Sequence, residues 1–176
     1  MFAILFARQT NMLIFIGLSL ARKKTTLSKS EIYRALEKDC ANIVQGESDV
    51  TANLANICAL MKQHLEYFWI GFYLVKDKQL VLGPFQGPVA CTRIDIGRGV
   101  CGTSWERKKA ILVPDVHAFP GHISCNANSQ SEIVFPILKK GAVEMILDID
   151  SDKLNDFDNE DMAGVEAICK IIEKII

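Results

Sequence analysis

Three stretches of the chain repeat apolar residues every three to four positions, which is the spacing of one face of an α-helix. The first begins at Ser30, a residue type that caps helices, and ends at Gly46. The second begins at about Asp49, and the third follows Asp158. We therefore predict two helices before the central part of the chain and one at its end. Their apolar positions are Ile32, Leu36, Cys40, Ile43 and Val44, then Leu54, Ile57, Cys58, Met61 and Leu65, then Met162, Val165, Ile168, Cys169, Ile172 and Ile176.

Between these helices the pattern favours strands. Residues 68–85 hold two β-rich runs joined by residues 76–78, which predicts an antiparallel hairpin. A second hairpin is predicted to turn at residues 140–141, and shorter strands are predicted at Val89–Ile94 and in the segment AILVP. Strands joined by hairpins, with helices gathered at both chain ends, predict an α+β fold in which helices cover an antiparallel sheet.

The first predicted strand has two different faces, because side chains alternate along a strand. Trp69, Gly71 and Tyr73 share one face, and the opposite face is aliphatic and aromatic. Two interpretations of the first face stay open. It is either ordinary core packing or the wall of a pocket with a gap at the glycine.

Residues 83–136 interrupt the regular pattern. They contain six of the eleven glycines and all five prolines, together with three cysteines and two histidines. The segment GRGVCGTSWERKK predicts a glycine turn that leads into a short helix, whose free amides can bind an anion. The segment DVHAFPGHISCNANSQ has no periodicity. Long irregular loops held by regular elements commonly carry function.

Composition and charge restrict the function further. The chain has 176 residues, 49% of them hydrophobic, which is enough for one domain with one buried core. Residues 1–30 hold five basic residues and no acidic one, so the remainder carries 15 basic against 21 acidic residues. An acidic domain without a basic stripe argues against nucleic-acid binding. A small cationic or zwitterionic ligand suits this balance better.

Residues 1–29 form an atypical N-terminal extension before a single domain at residues 30–176. The longest apolar run of the extension, from Met12 to Ala21, is too short to span a bilayer of about 30 Å. Basic residues follow this run, whereas a secretory signal carries them in front. An organelle-targeting segment and a start of translation placed too far upstream both stay open. We expect a cytoplasmic protein if the extension is not a targeting segment, and no membrane contact by the folded domain.

The six cysteines divide into two groups of three. Cys40, Cys58 and Cys169 fall on the apolar faces of the predicted helices, where we expect buried free thiols. The group in residues 83–136 is compatible with thiol redox chemistry, which needs a nucleophilic thiolate and a second cysteine within disulfide reach. Zinc binding stays open as an alternative, although no CxxC pair is present. The candidate side chains are Cys91, Cys101, Cys125, His117 and His122.

Seven motifs follow one another from about Ser30 to Ile176. They are GESDVTANLANICALM, WIGFYL, GPFQGPVAC, IxxGRGVCG, DVxxFPGHIxC, SxSEIVxP and LDIDS. With these motifs the segment resembles the free methionine-(R)-sulfoxide reductase family, which is built on a GAF domain. The resemblance implies a GAF-like antiparallel sheet of about six strands, with helices from both chain ends on one face and active-site loops on the other.

The same resemblance implies an activity and its cysteines. The reaction would be reduction of the R sulfoxide of free methionine without a cofactor, by a homodimer whose thiols thioredoxin reduces again. Cys125 matches the cysteine that attacks the sulfoxide, and Cys91 matches the one that resolves the sulfenic acid as a disulfide. Cys101 matches a third cysteine, for which we expect an auxiliary resolving or thioredoxin-exchange role.

A proton donor must accompany these thiols, because the sulfoxide oxygen is protonated as it leaves. Carboxylates on one sheet face raise one another's pKa, so one can hold a proton while another binds an ammonium group. Without the resemblance, a solvated strand edge is the competing interpretation of such residues. We expect Trp69 and Tyr73 to enclose the methyl-sulfinyl group, and backbone amides near Ser129–Glu132 to bind the carboxylate. The matching acidic residues are Glu132, Asp148 and Asp150.

Two observations complete the sequence picture. His122 belongs to the motif, and we expect it to support the loop rather than transfer a proton. Asn126 follows Cys125 where the family pattern has Asp, which weakens a nearby charge. The alternative to an enzyme is a non-catalytic GAF sensor that binds a small ligand. A sensor ordinarily signals to an output domain, for which we see no room in this chain.

Overall fold

The computed structural model describes residues 27–123 and 125–176, so the predicted extension lies outside the described residues except for its last three positions. The described part contains helices, strands and one short 3₁₀ helix in the predicted order. The helices are α1 (Lys29–Ile43), α2 (Val50–His64), α3 (Gly99–Arg107) and α4 (Asn159–Ile172), with the 3₁₀ helix at Val116–Ala118. The strands are β1 (Trp69–Lys76), β2 (Gln79–Gln86), β3 (Arg93–Asp95), β4 (Ile111–Val113), β5 (Ser131–Lys139) and β6 (Ala142–Ser151).

The strands form one six-stranded sheet in the order β3-β2-β1-β6-β5-β4, and every neighbouring pair is antiparallel. Helices α1, α2 and α4 cover one face of this sheet. Ile70 and Phe72 of β1 point into the core on that face, whereas Trp69 and Tyr73 point into a second cluster on the other face. The predicted α+β architecture and the two-faced character of β1 are therefore confirmed.

The core under the helices contains the three cysteines predicted to be structural. Cys40 and Cys58 are fully buried, and Cys169 is nearly so. All three have free thiols. The Cys58 thiol donates to the carbonyl of Pro84 at 3.3 Å. Burial raises the pKa of Cys40 and Cys58 to about 12. A thiol that stays protonated at neutral pH is a poor nucleophile, so this group acts as small apolar side chains.

The cap predicted for the last helix is confirmed, because Asp158 caps α4. Asp49, near which the second helix was predicted to begin, caps α2. The predicted cap at Ser30 is wrong, because α1 begins two residues earlier with Ser28 as its cap. Ser28 is the cap because Glu31 stands three positions after it. The Glu31 carboxylate accepts from the Ser28 amide at 2.8 Å, and the Ser28 hydroxyl accepts from the Glu31 amide at 3.3 Å. This reciprocal pair satisfies two amides that would otherwise lack partners.

The third strand is shorter than predicted, and residues 89–92 lie outside it. Gly87 (φ 144°) turns the chain from the end of β2 toward the pocket face of the sheet. Two side chains of β1 hold it there, because the Trp69 indole donates to the carbonyl of Pro88 at 3.0 Å and the Tyr73 hydroxyl donates to that of Cys91 at 3.1 Å. The segment that carries Cys91 therefore crosses the pocket face instead of extending the sheet edge.

Candidate active site

The acidic candidates lie in adjacent rows across the middle of the sheet. Trp69 of β1 pairs with Asp150 of β6, which pairs with Glu132 of β5. In the neighbouring row, Gly71 pairs with Asp148. Directly paired residues of an antiparallel sheet point to the same face. Strand register thus places three carboxylates beside one indole, on the face opposite α1, α2 and α4.

A pocket of about 530 Å³, counted to its open mouth, lies over these rows. Its floor is the sheet, and its walls come from the first turn of α3, the segment before Cys91 and the loop that leads to Cys125. Its lining residues are Trp69, Tyr73, Val89, Ala90, Ile94, Arg98, Gly99, Val100, Cys101, His122, Ile123, Cys125, Asn126, Ser129, Glu132, Asp148 and Asp150. Trp69 and Tyr73, from the face of β1 for which two interpretations stayed open, thus line a pocket.

Two glycines make room for the indole of Trp69. A Cβ at Gly71 would lie 2.3 Å from Trp69 Cη2, and a Cβ at Gly87 would lie 2.5 Å from Trp69 Cδ1. The indole stacks on Phe85 and Tyr73, with ring centroids at 5.4 and 6.0 Å. Trp69 is therefore held rigidly as the apolar wall. Tyr73 is 1% exposed, and its hydroxyl is engaged by the Cys91 carbonyl, so it mainly positions the cysteine segment.

Cys91 and Cys125 are joined by a disulfide. Their Cα atoms are 5.1 Å apart, within the range of bonded cysteines, although 34 positions separate them in the chain. The structure thus brings together the two cysteines that were predicted to react with each other. Because Cys125 also lines the pocket, the bond sits at the edge of the acidic site.

The three carboxylates have strongly perturbed acidity. Burial, with the charges of Asp148 and Asp150, raises the pKa of Glu132 well above its ordinary value. Burial raises the pKa of Asp148 to about 6, the hydrogen bonds that Asp148 accepts opposing a larger shift. Burial and the charge of Asp148 also raise the pKa of Asp150. All three carboxylates therefore hold a proton more tightly than exposed carboxylates do.

One atom of this group is conspicuous. Asp148 is 7% exposed, and its buried Oδ1 has no protein hydrogen-bond partner among the described residues. A buried polar atom without a partner costs about 1–3 kcal/mol, so such atoms persist where something else is to be bound. Asp148 itself is one of the residues that line the pocket.

The first turn of α3 offers amide donors to the same pocket. Its cap residue, Arg98, makes no side-chain cap hydrogen bond, and Gly99 and Val100 line the pocket. The amides near Ser129–Glu132, which were expected to bind a carboxylate, are less available. Ser129 N donates to the carbonyl of Asn126 at 3.3 Å, and Gln130 N donates to that of Ser151 at 2.8 Å. An anionic group therefore fits better at α3.

Comparison with known proteins identifies this arrangement. Residues 47–176 match the GAF domain family. GAF domain-containing protein A of Dictyostelium discoideum is 50% identical over 147 residues, covering 83% of this chain and 93% of that protein. The free methionine-R-sulfoxide reductase of Escherichia coli is 44% identical over 151 residues, covering 85% of this chain and 92% of that protein. The chain belongs to the free methionine-(R)-sulfoxide reductase family of GAF domains.

A solved structure agrees with this assignment. The X-ray structure of free methionine-R-sulfoxide reductase from Neisseria meningitidis in complex with its substrate is similar with a TM-score of 0.84 and 44% identity. The similarity covers 86% of this chain and 92% of that chain. The predicted domain start at residue 30 stays a prediction, since the family match begins at residue 47. Among the described residues, no helix combines the length and the apolar character that a membrane crossing needs.

Cys101, the third cysteine of the reductase-family motif, differs from the other two. It is 4% exposed, and its Sγ lies 3.8 Å from Glu132 Oε1. Burial, with the charges of Asp148 and Glu132, raises its pKa well above the ordinary value. Thiol exchange needs a thiolate, so this environment disfavours the exchange role expected for Cys101, which stays a prediction.

The remaining loop residues have separate roles. Asn126 Oδ1 accepts from the Asn128 amide at 3.0 Å, so its side chain closes a turn without needing the charge of an Asp. His122 lines the pocket, and its buried Nε2 has no protein partner among the described residues. Burial lowers its pKa, so it is neutral at pH 7. The expectation that His122 supports the loop rather than transferring a proton stays a prediction.

The zinc ligands considered from sequence do not form a site. Cys91 and Cys125 are consumed by their disulfide, and the rings of His117 and His122 have centroids 6.1 Å apart without a cysteine beside them. Over residues 27–123 and 125–176, the group of potential ligands that does converge is a different one: Cys101, Glu132 and Asp148.

Proposed function

We propose that the protein reduces free L-methionine (R)-sulfoxide to L-methionine. The observation that carries this proposal is a Cys91–Cys125 disulfide at the edge of a pocket whose buried carboxylates have raised pKa values. Family membership supports the same conclusion, since the Escherichia coli and Neisseria relatives are named as free methionine-R-sulfoxide reductases.

The pocket suits each part of a free amino acid. Asp148, whose pKa of about 6 leaves it mostly ionised at neutral pH, binds the ammonium group together with Asp150. Amides in the first turn of α3 bind the substrate carboxylate. The methyl-sulfinyl end then lies against Trp69. A methionine sulfoxide inside a polypeptide has neither free charge, which explains selection of the free amino acid.

The chemistry begins from the reduced protein. The Cys125 thiolate attacks the sulfoxide sulfur and forms a sulfur–sulfur bond, while Glu132 supplies a proton to the sulfoxide oxygen, which takes up a second proton and leaves as water. A water molecule then attacks the Cys125 sulfur and breaks the sulfur–sulfur bond. Methionine leaves with its sulfur reduced by two electrons, one proton is released, and Cys125 is left as a sulfenic acid. The Cys91 thiol then displaces the oxygen of the sulfenic acid as water and forms the disulfide. A dithiol protein such as thioredoxin restores both thiols and takes up the disulfide itself.

A stereochemical assay tests the proposal. The full-length protein is incubated with racemic free methionine sulfoxide and a dithiol reductant, and each epimer is followed by chiral separation. We expect loss of the R epimer only. If neither epimer is consumed, the reductase proposal is wrong and the sensor alternative gains support. Equal loss of both epimers would contradict a stereospecific pocket.

Single-turnover measurements test the two cysteine roles. Cys125→Ser is expected to release no methionine, because the variant lacks the thiolate that we assign as the nucleophile. Cys91→Ser is expected to release about one methionine per chain without a dithiol, because the first step needs only Cys125. Cys169→Ser serves as the matched control, since it removes a free thiol buried among the helices. Full activity of Cys125→Ser would show that the nucleophile is assigned wrongly.

Two partner expectations belong to this proposal. Reduction by thioredoxin is tested by replacing the small dithiol with thioredoxin and following its reduction cycle. Homodimerisation through the first helices is tested by sedimentation. Exposed apolar residues at α1, Leu27 and Ile43, are consistent with such a contact. A monomer at micromolar concentration would contradict it.

A further inference from the structure

A compact group of metal-ligating atoms lies inside the pocket. One ligand atom each from Cys101, Glu132 and Asp148 lies within 4.8 Å of the other two. The Cys101 sulfur and Glu132 Oε1 are 3.8 Å apart. All three side chains are more than nine-tenths buried. None of them takes part in the Cys91–Cys125 disulfide, so the group exists in the oxidised form of the protein as well.

The group lacks a compensating cation. Among the described residues no ion pair reaches any of its members, although two are carboxylates. The buried Oδ1 atom of Asp148 has no hydrogen-bond partner within the described part of the chain, and Asp148 lines the pocket. This unpartnered oxygen is an observation independent of the clustering, and it points to a ligand that is electropositive.

We propose that Cys101, Glu132 and Asp148 form an inhibitory site for a thiophilic divalent cation, of which Zn²⁺ is the best match. Zinc takes one sulfur and two carboxylate oxygens readily, at about 2.3 Å and about 2.0–2.2 Å. Tetrahedral ligands at these distances lie roughly 3.3–3.8 Å apart, which the present spacing reaches by small side-chain rotations. The fourth position opens toward the pocket and takes water.

The site is inhibitory because the ion occupies two carboxylates that the proposed reaction needs. Zinc takes the carboxylate of Asp148 that would bind the ammonium group, and it displaces the proton that Glu132 would supply. This consequence rests on the proposed function, whereas the binding itself does not. Since the ligands release protons on binding, the affinity rises with pH. The thiol of Cys101 thereby gains a role that does not require exchange chemistry.

Metal binding is measured first without any catalysis. Full-length protein in its disulfide form is titrated with Zn²⁺ in competition with a chromogenic chelator, and Co²⁺ is added in parallel. We expect one ion per chain, and a thiolate-to-cobalt charge-transfer band in the near ultraviolet. Absence of zinc binding in the micromolar range, or a cobalt complex without thiolate absorption, would overturn the proposal.

Variants then locate the ion. Cys101→Ser is expected to abolish the charge-transfer band and to weaken zinc binding by at least about 100-fold, since even residues outside the ligand set cost 10–100-fold. Asp148→Asn should weaken it by a comparable factor. Cys169→Ser is the matched control, a buried free thiol that leaves zinc affinity unchanged. Circular dichroism confirms that each variant is folded. Undiminished binding by Cys101→Ser would overturn the site.

An activity assay separates this inference from the proposed function. Zinc should inhibit sulfoxide reduction competitively with the substrate, and a chelator should restore the rate. Zinc binding by a protein without reductase activity would overturn the function and leave the site standing. Reductase activity in a protein that binds no zinc would overturn the site and leave the function standing.

Discussion

Two buried aspartates on opposite faces of the sheet have opposite surroundings. Asp161, at the start of α4, is fully buried, and both of its oxygens are used. Oδ1 accepts from the hydroxyls of Tyr33 and Tyr67 at 2.9 and 2.6 Å. Oδ2 accepts from Lys29 Nζ at 2.6 Å and from the Asp158 amide at 2.8 Å. Asp148 lies on the pocket face, and its Oδ1 finds no hydrogen-bond partner in residues 27–123 and 125–176.

The comparison distinguishes a structural carboxylate from a functional one. Burying a charge is costly unless it is paired and hydrogen-bonded, and Asp161 meets that condition through four donors. Asp148 does not meet it, so its burial costs stability that the rest of the fold must supply. Exposed fraction alone would not separate the two residues. What separates them is whether the protein itself satisfies their oxygens.

The largest effect is expected on the pocket side, for removal of the proton donor. Glu132→Gln keeps the shape of the side chain but cannot deliver a proton, so kcat should fall by roughly 10²- to 10⁴-fold. Steady-state kinetics with free methionine (R)-sulfoxide measure it. Glu166→Gln on α4, an exposed carboxylate of the opposite face, is the control and should leave kcat unchanged. A loss under threefold in Glu132→Gln would assign the donor elsewhere.

The next effect is expected on the helix side. Asp161→Ala removes the acceptor of two tyrosine hydroxyls and the partner of Lys29, so the free energy of unfolding should fall by about 3 kcal/mol. Activity per folded molecule should stay near that of the unaltered chain, because Asp161 lies on the other face of the sheet. Urea unfolding measures the first quantity and active-site titration the second. Normal stability in this variant would contradict the structural role.

The pH dependence of kcat/KM tests the pocket side more finely. Burial raises the pKa of Asp148 to about 6, so the ammonium partner is lost as the pH falls below that value. We expect kcat/KM to decline by roughly tenfold per pH unit below about pH 6. Asp148→Asn should lower kcat/KM and remove this step. A profile that stays flat from pH 7 to pH 5 in the unaltered chain would contradict the assignment.

The smallest effect concerns the stability cost of Asp148. Its pKa is raised in the folded state, so the native protein binds its proton more tightly than the unfolded chain does. The cost is therefore absent below pH 4, where both states are protonated, and complete above about pH 6. Asp148→Asn should raise the free energy of unfolding by about 1 kcal/mol at pH 8 and by less at pH 4. Destabilisation at pH 8 would show that Asp148 is structural after all.

Much of the fold was accessible from local pattern. Apolar spacing located the helices at both chain ends, and the Asp158 cap of the last one was predicted from its residue type. The failures came where a distant residue decides a local question. Residues 89–92 have strand-forming character, yet hydrogen bonds from Trp69 and Tyr73 hold that segment over the pocket face instead of in the sheet.

Less of the pocket than of the fold could be predicted from the sequence. The candidate cysteines, carboxylates and aromatics came from motifs, but nothing in their spacing distinguished Cys101, buried beside Glu132, from Cys91, which is bonded to Cys125. The spacing also did not show that the amides of Ser129 and Gln130 already donate to backbone carbonyls, whereas the first turn of α3 has no side-chain cap. These differences depend on which segments meet in space.

By itself, the sequence determined which side chains share a face, because the two-residue repeat of a strand is a local property. It placed Trp69 with Tyr73, and Asp148 with Asp150, without reference to any other segment. Only the tertiary structure decided which faces became neighbours. Antiparallel pairing of β6 with both β1 and β5 set Asp150 between Trp69 and Glu132, and this register fixes how closely the carboxylates of the pocket approach one another.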